Sequence, residues 1–353
     1  MSSNTVPRLR TLAGVLAALC AAALLLMNSA PAFADRGHGG DGTDLSGLRI
    51  LLTNDDSMQA QSPRNSDGLG LYEMRRALCA AGADVVVIAP WAVQSGKGSA
   101  VTNSGTFSVG EATVPAGYQD DCAGAPTTGP VYGLCLGAGP CDENSGSATP
   151  SDTVMFATRG GLATLVGWGE PDLVVSGSNS GANAASSVND SGTVGAAVAA
   201  VADNLPAVAF STQPAPDFSV PVGNYVATAD WGAQFLADLN ARGLLLQHQF
   251  ALSVNYPDIS QGQVVQDPEW VEVGSATVAL HGYTQQEDGS WKVGLSLCSG
   301  LEICKEGKRN SDWQALGESH ITVTPITWDR TYGVRDRGSK YYKLRNFVNR
   351  YDA

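Results

Sequence analysis

The sequence predicts an α/β protein built on a doubly wound, mainly parallel sheet, with a β-hairpin extension towards the C-terminus. Three observations carry that prediction. Runs such as Ile50-Leu51-Leu52, Val85-Val86-Val87-Ile88 and Leu173-Val174-Val175 are apolar without alternation, as strands buried on both faces are. Leu71, Met74 and Leu78, between the first two runs, share one helix face and complete a strand–helix–strand unit. Beyond Pro257 the pattern changes to a period of two, the mark of hairpin strands.

Arg8 and Arg10 precede an apolar stretch from Leu12 to Met27, and Ala32-Phe33-Ala34 fits a small-x-small cleavage site, so residues 1–34 read as a secretory signal peptide. A retained anchor is the other reading; the run is short for a span, which favours cleavage and a secreted, soluble product. Residues 35–47 are Gly- and Asp-rich and read as a flexible lead-in. The α/β core is expected over residues 48–260. Its first strand, Arg49 to Leu52, runs into Thr53-Asn54-Asp55-Asp56. A polar loop, 57–68, leads to the helix, for which Gly82 suits a C-cap. The strand from Asp84 ends at Pro90 and is followed by the small-residue loop Gln94 to Ser99. Residues 107–150 are Gly-, Pro- and Thr-rich and read as an irregular insertion with a possible β-hairpin. Helical content from Asp152 to Val166 is interrupted at Gly160-Gly161. Asp172 to Gly177 is a strand running into a polar loop, and Ser191 can cap the Ala/Val helix that ends at Ala202. Pro206 to Ser211 is a strand, Trp231 to Leu239 a helix and Phe250 to Asn255 a strand. In residues 261–353, Val271 to Val278 and Trp291 to Leu297 read as the hairpin, His320 to Pro325 as another strand, and the tail from Tyr341 as aromatic and basic.

A chain of 353 residues with 43% hydrophobic content has room for one large or two ordinary domains. Its net charge is −13, and loss of Arg8 and Arg10 lowers it by two, to −15. That balance argues against nucleic-acid and anionic-membrane binding, but a bound metal can still invert the local field for a small anionic substrate. An exported chain permits disulfides. Cys298 and Cys304 can close a short loop, two of Cys122, Cys135 and Cys141 can pair, and Cys79 reads as a buried free thiol; one cysteine is then left over.

Parallel sheets bind ligands at the carboxyl ends of their strands. Three such ends carry Asp55-Asp56, Ser95 and Asn179. An isolated Asn-Asp-Asp reads equally as a solvated turn. Two carboxylates, a hydroxyl and an amide oxygen together suit a hard cation, Mg²⁺, Mn²⁺ or Ca²⁺, better than Zn²⁺ or Cu²⁺. Gly-rich loops and the helix start after Ser191 offer N–H groups to a phosphate, so phosphoryl chemistry is indicated. Other mechanisms fit less well. Gly177-Ser178-Asn179-Ser180-Gly181 has Asn where a nucleophile elbow needs Ser, and Trp91 stands where a P-loop needs its first glycine.

Together these segments resemble one family. Leu51-Leu52-Thr53-Asn54-Asp55-Asp56, Ala89-Pro90 followed by Gln94-Ser95-Gly96, Ser176 to Asn183, and Ser191-Gly192-Thr193-Val194-Gly195 are similar to the motifs of the SurE family, metal-dependent 5′/3′-nucleotidases also described as acid phosphatases. Thr149-Pro150-Ser151-Asp152, Ser253-Val254-Asn255-Tyr256-Pro257, Ser311-Asp312 and Thr322-Val323-Thr324-Pro325 extend the likeness over roughly residues 48–330. The resemblance implies a Rossmann-like core and one divalent cation per subunit on Asp55, Asp56, Ser95 and Asn179, with Asp55, Asp56 and Asn54 catalytic. It places Asn54, Ser176, Gly177, Asn183, Ser191, Gly192 and Thr193 around the substrate phosphate. It also implies a homodimer or homotetramer through the C-terminal segment. The chain departs from the family at Ser57, usually Gly, and at Ser99, often His, with Lys97 close by. The expected function is a secreted phosphomonoesterase for nucleoside monophosphates and other small phosphate esters. An exported nucleotide-binding protein without turnover is the alternative.

Overall fold

The computed structural model describes residues 44–60, 68–331 and 339–350. The signal peptide, most of the lead-in and much of the 57–68 loop lie outside the described residues.

The strands in chain order are β1 Arg49–Thr53, β2 Asp84–Pro90, β3 Phe107–Glu111, β4 Val131–Leu136, β5 Gly146–Ser147, β6 Leu173–Ser180, β7 Ala207–Thr212, β8 Ala251–Tyr256, β9 Gln266–Trp270, β10 Ala279–Gln285, β11 Trp291–Leu297 and β12 His320–Ile326. The main sheet has the order β3-β4-β2-β1-β6-β7-β8-β12-β9, and the six strands from β4 to β8 are parallel. Helices α1 Leu69–Ala80, α2 Pro150–Phe156, α3 Leu162–Val166, α4 Ser187–Asp190, α5 Gly192–Ala202, α6 Val222–Ala241, α7 Asp312–Gly317 and α8 Ser339–Val348 follow the same numbering principle. Alternate strand residues build two cores: Ile50, Leu52, Val85 and Phe210 pack with α1 and α6, while Leu51, Val86, Val174 and Ala209 pack with α2 and α5. This is the doubly wound, Rossmann-like α/β class expected. Burial on both faces is why the strands read as unbroken apolar runs.

Local signals act as read. Gly82 sits at φ +90° and ends α1, with its N–H on Cys79 O at 2.9 Å and Ala83 N–H on Leu78 O at 3.1 Å. Thr149 and Asp152 cap α2 reciprocally. Arg159 and Gly160 break the helical backbone between α2 and α3.

Several expectations need correction. Residues 107–150 are not a wholly irregular insertion: β3 and β4 pair antiparallel, and β4 extends the main sheet beside β2. Glycines within and around β4 dilute its apolar pattern. Cys79 is not a free thiol; it bonds Cys122, which resolves the leftover cysteine, with Cys135–Cys141 and Cys298–Cys304 as the other two bridges. The hairpin pairs Ala279–Gln285 with Trp291–Leu297. Val271 to Val278 instead runs as a strap: Val271 N–H still bonds Val323 O of β12 at 3.0 Å, but at its centre Gly274 donates to Asp312 Oδ1 at 2.8 Å and Ser275 to Glu306 Oε2 at 2.9 Å. Residue 260 is not an architectural boundary, because β9 and β12 rejoin the main sheet. Pro268 and the exposure of β9 hide that edge strand from a pattern search.

Candidate metal and phosphate site at the strand ends

From β1 the chain winds outward through β2 to one side and, later, through β6, β7 and β8 to the other. The β1–β6 junction is therefore the switch point of the sheet, where a crevice opens at the carboxyl ends of the strands. Asn54, Asp55 and Asp56 leave β1 there, Asn179 lies in β6 beside them, and Gly192 and Thr193 begin α5.

These residues form one buried network. Asp55 Oδ1 accepts from the Thr193 hydroxyl at 2.5 Å and Oδ2 from the Gly192 N–H at 3.1 Å. Asp56 Oδ2 accepts from the Ser180 N–H at 2.6 Å and from Asn54 Nδ2 at 3.3 Å. Asn54 Nδ2 also donates to Ser178 O at 3.2 Å, and Asn179 Nδ2 to Gly181 O at 2.8 Å, so both amide oxygens face inward. Asn54 Oδ1 and Asn179 Oδ1 each stand 3.2 Å from Thr193 Oγ1. A hydroxyl has one proton, and Asp55 takes it. Three acceptor oxygens thus converge on one hydroxyl, and Asn54 Oδ1 takes a further proton from the Asp55 N–H at 2.8 Å.

Asp55 and Asp56 are only 3% and 2% exposed. Burial raises the Asp55 carboxyl above its ordinary range, against the lowering effect of the Thr193 hydroxyl and nearby N–H groups. Among the described residues no three of His, Cys, Asp and Glu gather, so any metal here depends on amides and hydroxyls as well as acids. Two adjacent buried carboxylates beside inward amide oxygens fit a hard divalent cation.

The other predicted residues are placed as follows. The loop bearing Ser95 is held against the cluster by Gln94 N–H on Asp55 O at 2.7 Å, and the Ser95 side chain itself is exposed. Ser191 Oγ caps α5 through Val194 N–H at 3.0 Å. Asn183 donates to Ser211 Oγ at 2.9 Å and its N–H to Asn255 Oδ1 at 2.7 Å, which fixes the 181–186 loop on β7 and β8. Ser176 Oγ is buried without a hydrogen-bond partner among the described residues. Gly177, at φ +121°, would put a Cβ 2.2 Å from Phe210 O, and a Cβ on Gly192 would lie 2.8 Å from the Asp55 Cβ. Both glycines are therefore demanded by close approach of backbone. Ser57 adopts φ +73°, the left-handed conformation that glycine favours, so the backbone turn behind Asp56 does not require the glycine. Sequence reasoning missed the Ser180 N–H and Ser178 carbonyl, because backbone groups have no residue signature.

The family model described as Survival protein SurE matches residues 50–279. A 5′-nucleotidase SurE from Desulfovibrio desulfuricans is 31% identical over 299 residues, covering 80% of this chain and 94% of its own. One from Christiangramia forsetii is 28% identical, covering 80% of this chain and 92% of its own. The crystal structure of the SurE protein from Aquifex aeolicus aligns with a TM-score of 0.53 at 21% identity, over 84% of this chain and 99% of its own, and so shares the fold. With more than half of its length matched by the family model, the chain belongs to the SurE family.

Proposed function

We propose that the protein is an exported, divalent-metal-dependent phosphomonoesterase that hydrolyses nucleoside 5′- and 3′-monophosphates and other small phosphate esters. Its family makes it a phosphoric monoester hydrolase. The observation that carries the finer reading is the convergence of Asn54 Oδ1, Asp55 Oδ1 and Asn179 Oδ1 on the Thr193 hydroxyl at the start of α5. Asp55, Asp56, Asn179 and Ser95 would hold the cation, with Mg²⁺ or Mn²⁺ the fitting ions and Ca²⁺ acceptable to the same oxygens. When bound, it supplies positive charge to the phosphoryl oxygens. Asn54 orients the Asp56 carboxylate through its Nδ2 and accepts the Asp55 backbone N–H on its Oδ1. The Gly192 N–H is taken by Asp55, and the positive end of α5 favours negative charge at the cluster. Ser176 and Gly177 within β6, Asn183 in the loop after it and Ser191 at the cap of α5 complete the surroundings.

Phosphate release from AMP and p-nitrophenyl phosphate is expected with Mg²⁺ or Mn²⁺, to be lost in EDTA and restored by added metal. Release that persists in EDTA would remove the metal from the reading; metal binding without any release would leave a binding protein. Three disulfides support export, because such bonds persist in oxidising compartments. Among the described residues no helix is long and apolar enough to cross a membrane.

A homodimer or homotetramer is part of this reading. Tyr283, Trp291, Val293, Leu295 and Leu297 are exposed on one face of the β10–β11 hairpin, an apolar surface suited to a second copy of the chain. Light scattering should give a multiple of the 36.5 kDa chain mass, or of its cleaved form, and a Val293→Lys, Leu295→Lys protein should shift towards the monomer. An unchanged mass in that variant would take the hairpin out of the interface.

A further inference from the structure

The segment from Ser180, the last residue of β6, to Gly192, the first of α5, begins and ends on the acidic pair. At its start the Ser180 N–H donates to Asp56 Oδ2 at 2.6 Å, and at its end the Gly192 N–H donates to Asp55 Oδ2 at 3.1 Å. Both donors are backbone groups, so the course of the chain between them sets how the two carboxylates are held. That course is fixed from outside. The Asn183 N–H donates to Asn255 Oδ1 at 2.7 Å, and the Ala185 N–H to Asp312 Oδ1 at 3.0 Å. Ala185 stands at φ +48°, a left-handed conformation that an alanine adopts at a cost and that surrounding contacts must hold.

Asp312 reaches this turn from 127 positions away, as the first residue of α7 behind the Ser311 cap. Its side chain is fully buried. Oδ1 accepts from Ala185 and also from Gly274 of the strap, while Oδ2 is buried without a hydrogen-bond partner among the described residues. Burial raises the carboxyl above its ordinary range, against the lowering effect of the Gly274 and Ala185 N–H groups. A helix start favours an acid, but an exposed one serves that purpose without the cost of burial. What the buried one adds is the bond across to the 180–192 segment. The strap also meets that segment directly, where the Ser186 N–H donates to Ala276 O at 3.1 Å.

We infer that Asp312 is a positioning residue for the reaction: by holding the Ala185 N–H it fixes the 180–192 segment and, through the two ends of that segment, the Asp55 and Asp56 carboxylates. The inference rests on the phosphomonoesterase reading above. Asp312 acts through backbone groups alone and touches neither substrate nor cation. Displacing a reacting group by about 1 Å costs up to about a hundredfold in rate, so a distant anchor of this kind has a measurable effect.

The test compares Asp312→Ala, Asp312→Asn and Glu306→Ala, each assayed for kcat and KM on AMP, for Mn²⁺ affinity by calorimetry and for melting temperature. Asp312→Ala removes the acceptor; well below its melting temperature, kcat and Mn²⁺ affinity are each expected to fall about tenfold or more. Asparagine keeps an acceptor oxygen for both N–H groups, so Asp312→Asn should restore both to within about threefold of wild type. Glu306 holds Ser275 and Ala276 of the same strap but not Ala185, so Glu306→Ala should lower the melting temperature and leave kcat within about threefold. An Asp312→Ala protein that melts earlier but keeps its kcat and Mn²⁺ affinity overturns the inference, because the residue then serves the fold alone. An asparagine variant as impaired as the alanine one overturns it too. So does a Glu306→Ala protein that loses as much kcat as Asp312→Ala, since the strap would then set the segment. Should Asp312→Ala not fold, Asp312→Ser, too short to span both N–H groups, replaces it, and failure of that variant to fold marks Asp312 as structural and overturns the inference. A wild-type protein that releases phosphate from no ester defeats the phosphomonoesterase reading, and this role with it, before any variant is compared.

Discussion

Asp55→Asn is expected to lower metal-dependent phosphate release by about three orders of magnitude. Both carboxylate oxygens are used: one accepts from Thr193 and the other from the Gly192 N–H. Asparagine keeps one acceptor and turns an N–H donor towards the second, so a donor faces a donor. The change also removes one of two buried negative charges that would hold the cation. Metal assistance is worth several kcal/mol of transition-state stabilisation, and each ~1.4 kcal/mol is tenfold in rate. Folding should survive, because the neutral side chain relieves the cost of burying an ionised carboxylate. The measurement is kcat/KM on AMP with Mn²⁺, beside a metal titration and a melting curve. Activity within tenfold of wild type, in a folded protein, would remove Asp55 from the site. Asn183→Ala makes the contrast: its amide holds Ser211 rather than the acidic cluster, so a smaller loss of rate is expected.

The Cys79–Cys122 bridge should be the most stabilising of the three. It spans 43 residues, whereas Cys135–Cys141 and Cys298–Cys304 each span 6. Loop-closure entropy then gives about 4 kcal/mol for the long bridge and about 2 kcal/mol for each short one. The long bridge ties α1, directly behind the Asp55 loop, to the segment before β4. There it works beside Arg75, which donates to Gly129 O at 2.9 Å and Tyr118 O at 3.0 Å. Denaturant unfolding of a Cys79→Ser, Cys122→Ser protein should show a loss of about 4 kcal/mol, against about 2 kcal/mol for the Cys135→Ser, Cys141→Ser protein. Equal losses would show that the segment before β4 is held by Arg75 and packing rather than by the bridge.

How legible the molecule was in its sequence follows from how local each signal is. The apolar runs of β1, β2 and β6 announce themselves because both faces of a parallel strand are buried. The Gly82 and Ser191 caps act within one helical turn and were readable for the same reason. Where the partner is distant, the reading failed. Val271 to Val278 alternates like a strand, yet the N–H groups at its centre, those of Gly274 and Ser275, end on Asp312 and Glu306 instead of a ladder. Cys79 lies in an ordinary helical pattern, and nothing near it in sequence points to Cys122, 43 positions on. Ser57 is instructive at the centre of the site: where the family usually has glycine, the chain keeps the left-handed turn with a serine, a conformation invisible in composition.

The sequence by itself determined the fold class, the family and the run Asn54-Asp55-Asp56, since each is written in neighbouring residues. It did not determine that Asn54, Asp55 and Asn179 would turn their oxygens towards one Thr193 hydroxyl. That convergence joins residues up to 139 positions apart. It arises because the sheet sets β1 beside β6 and brings the first turn of α5 over both. Only the register of those strands, and a glycine at 192 that lets the backbone approach the Asp55 carboxylate, decide which oxygens meet.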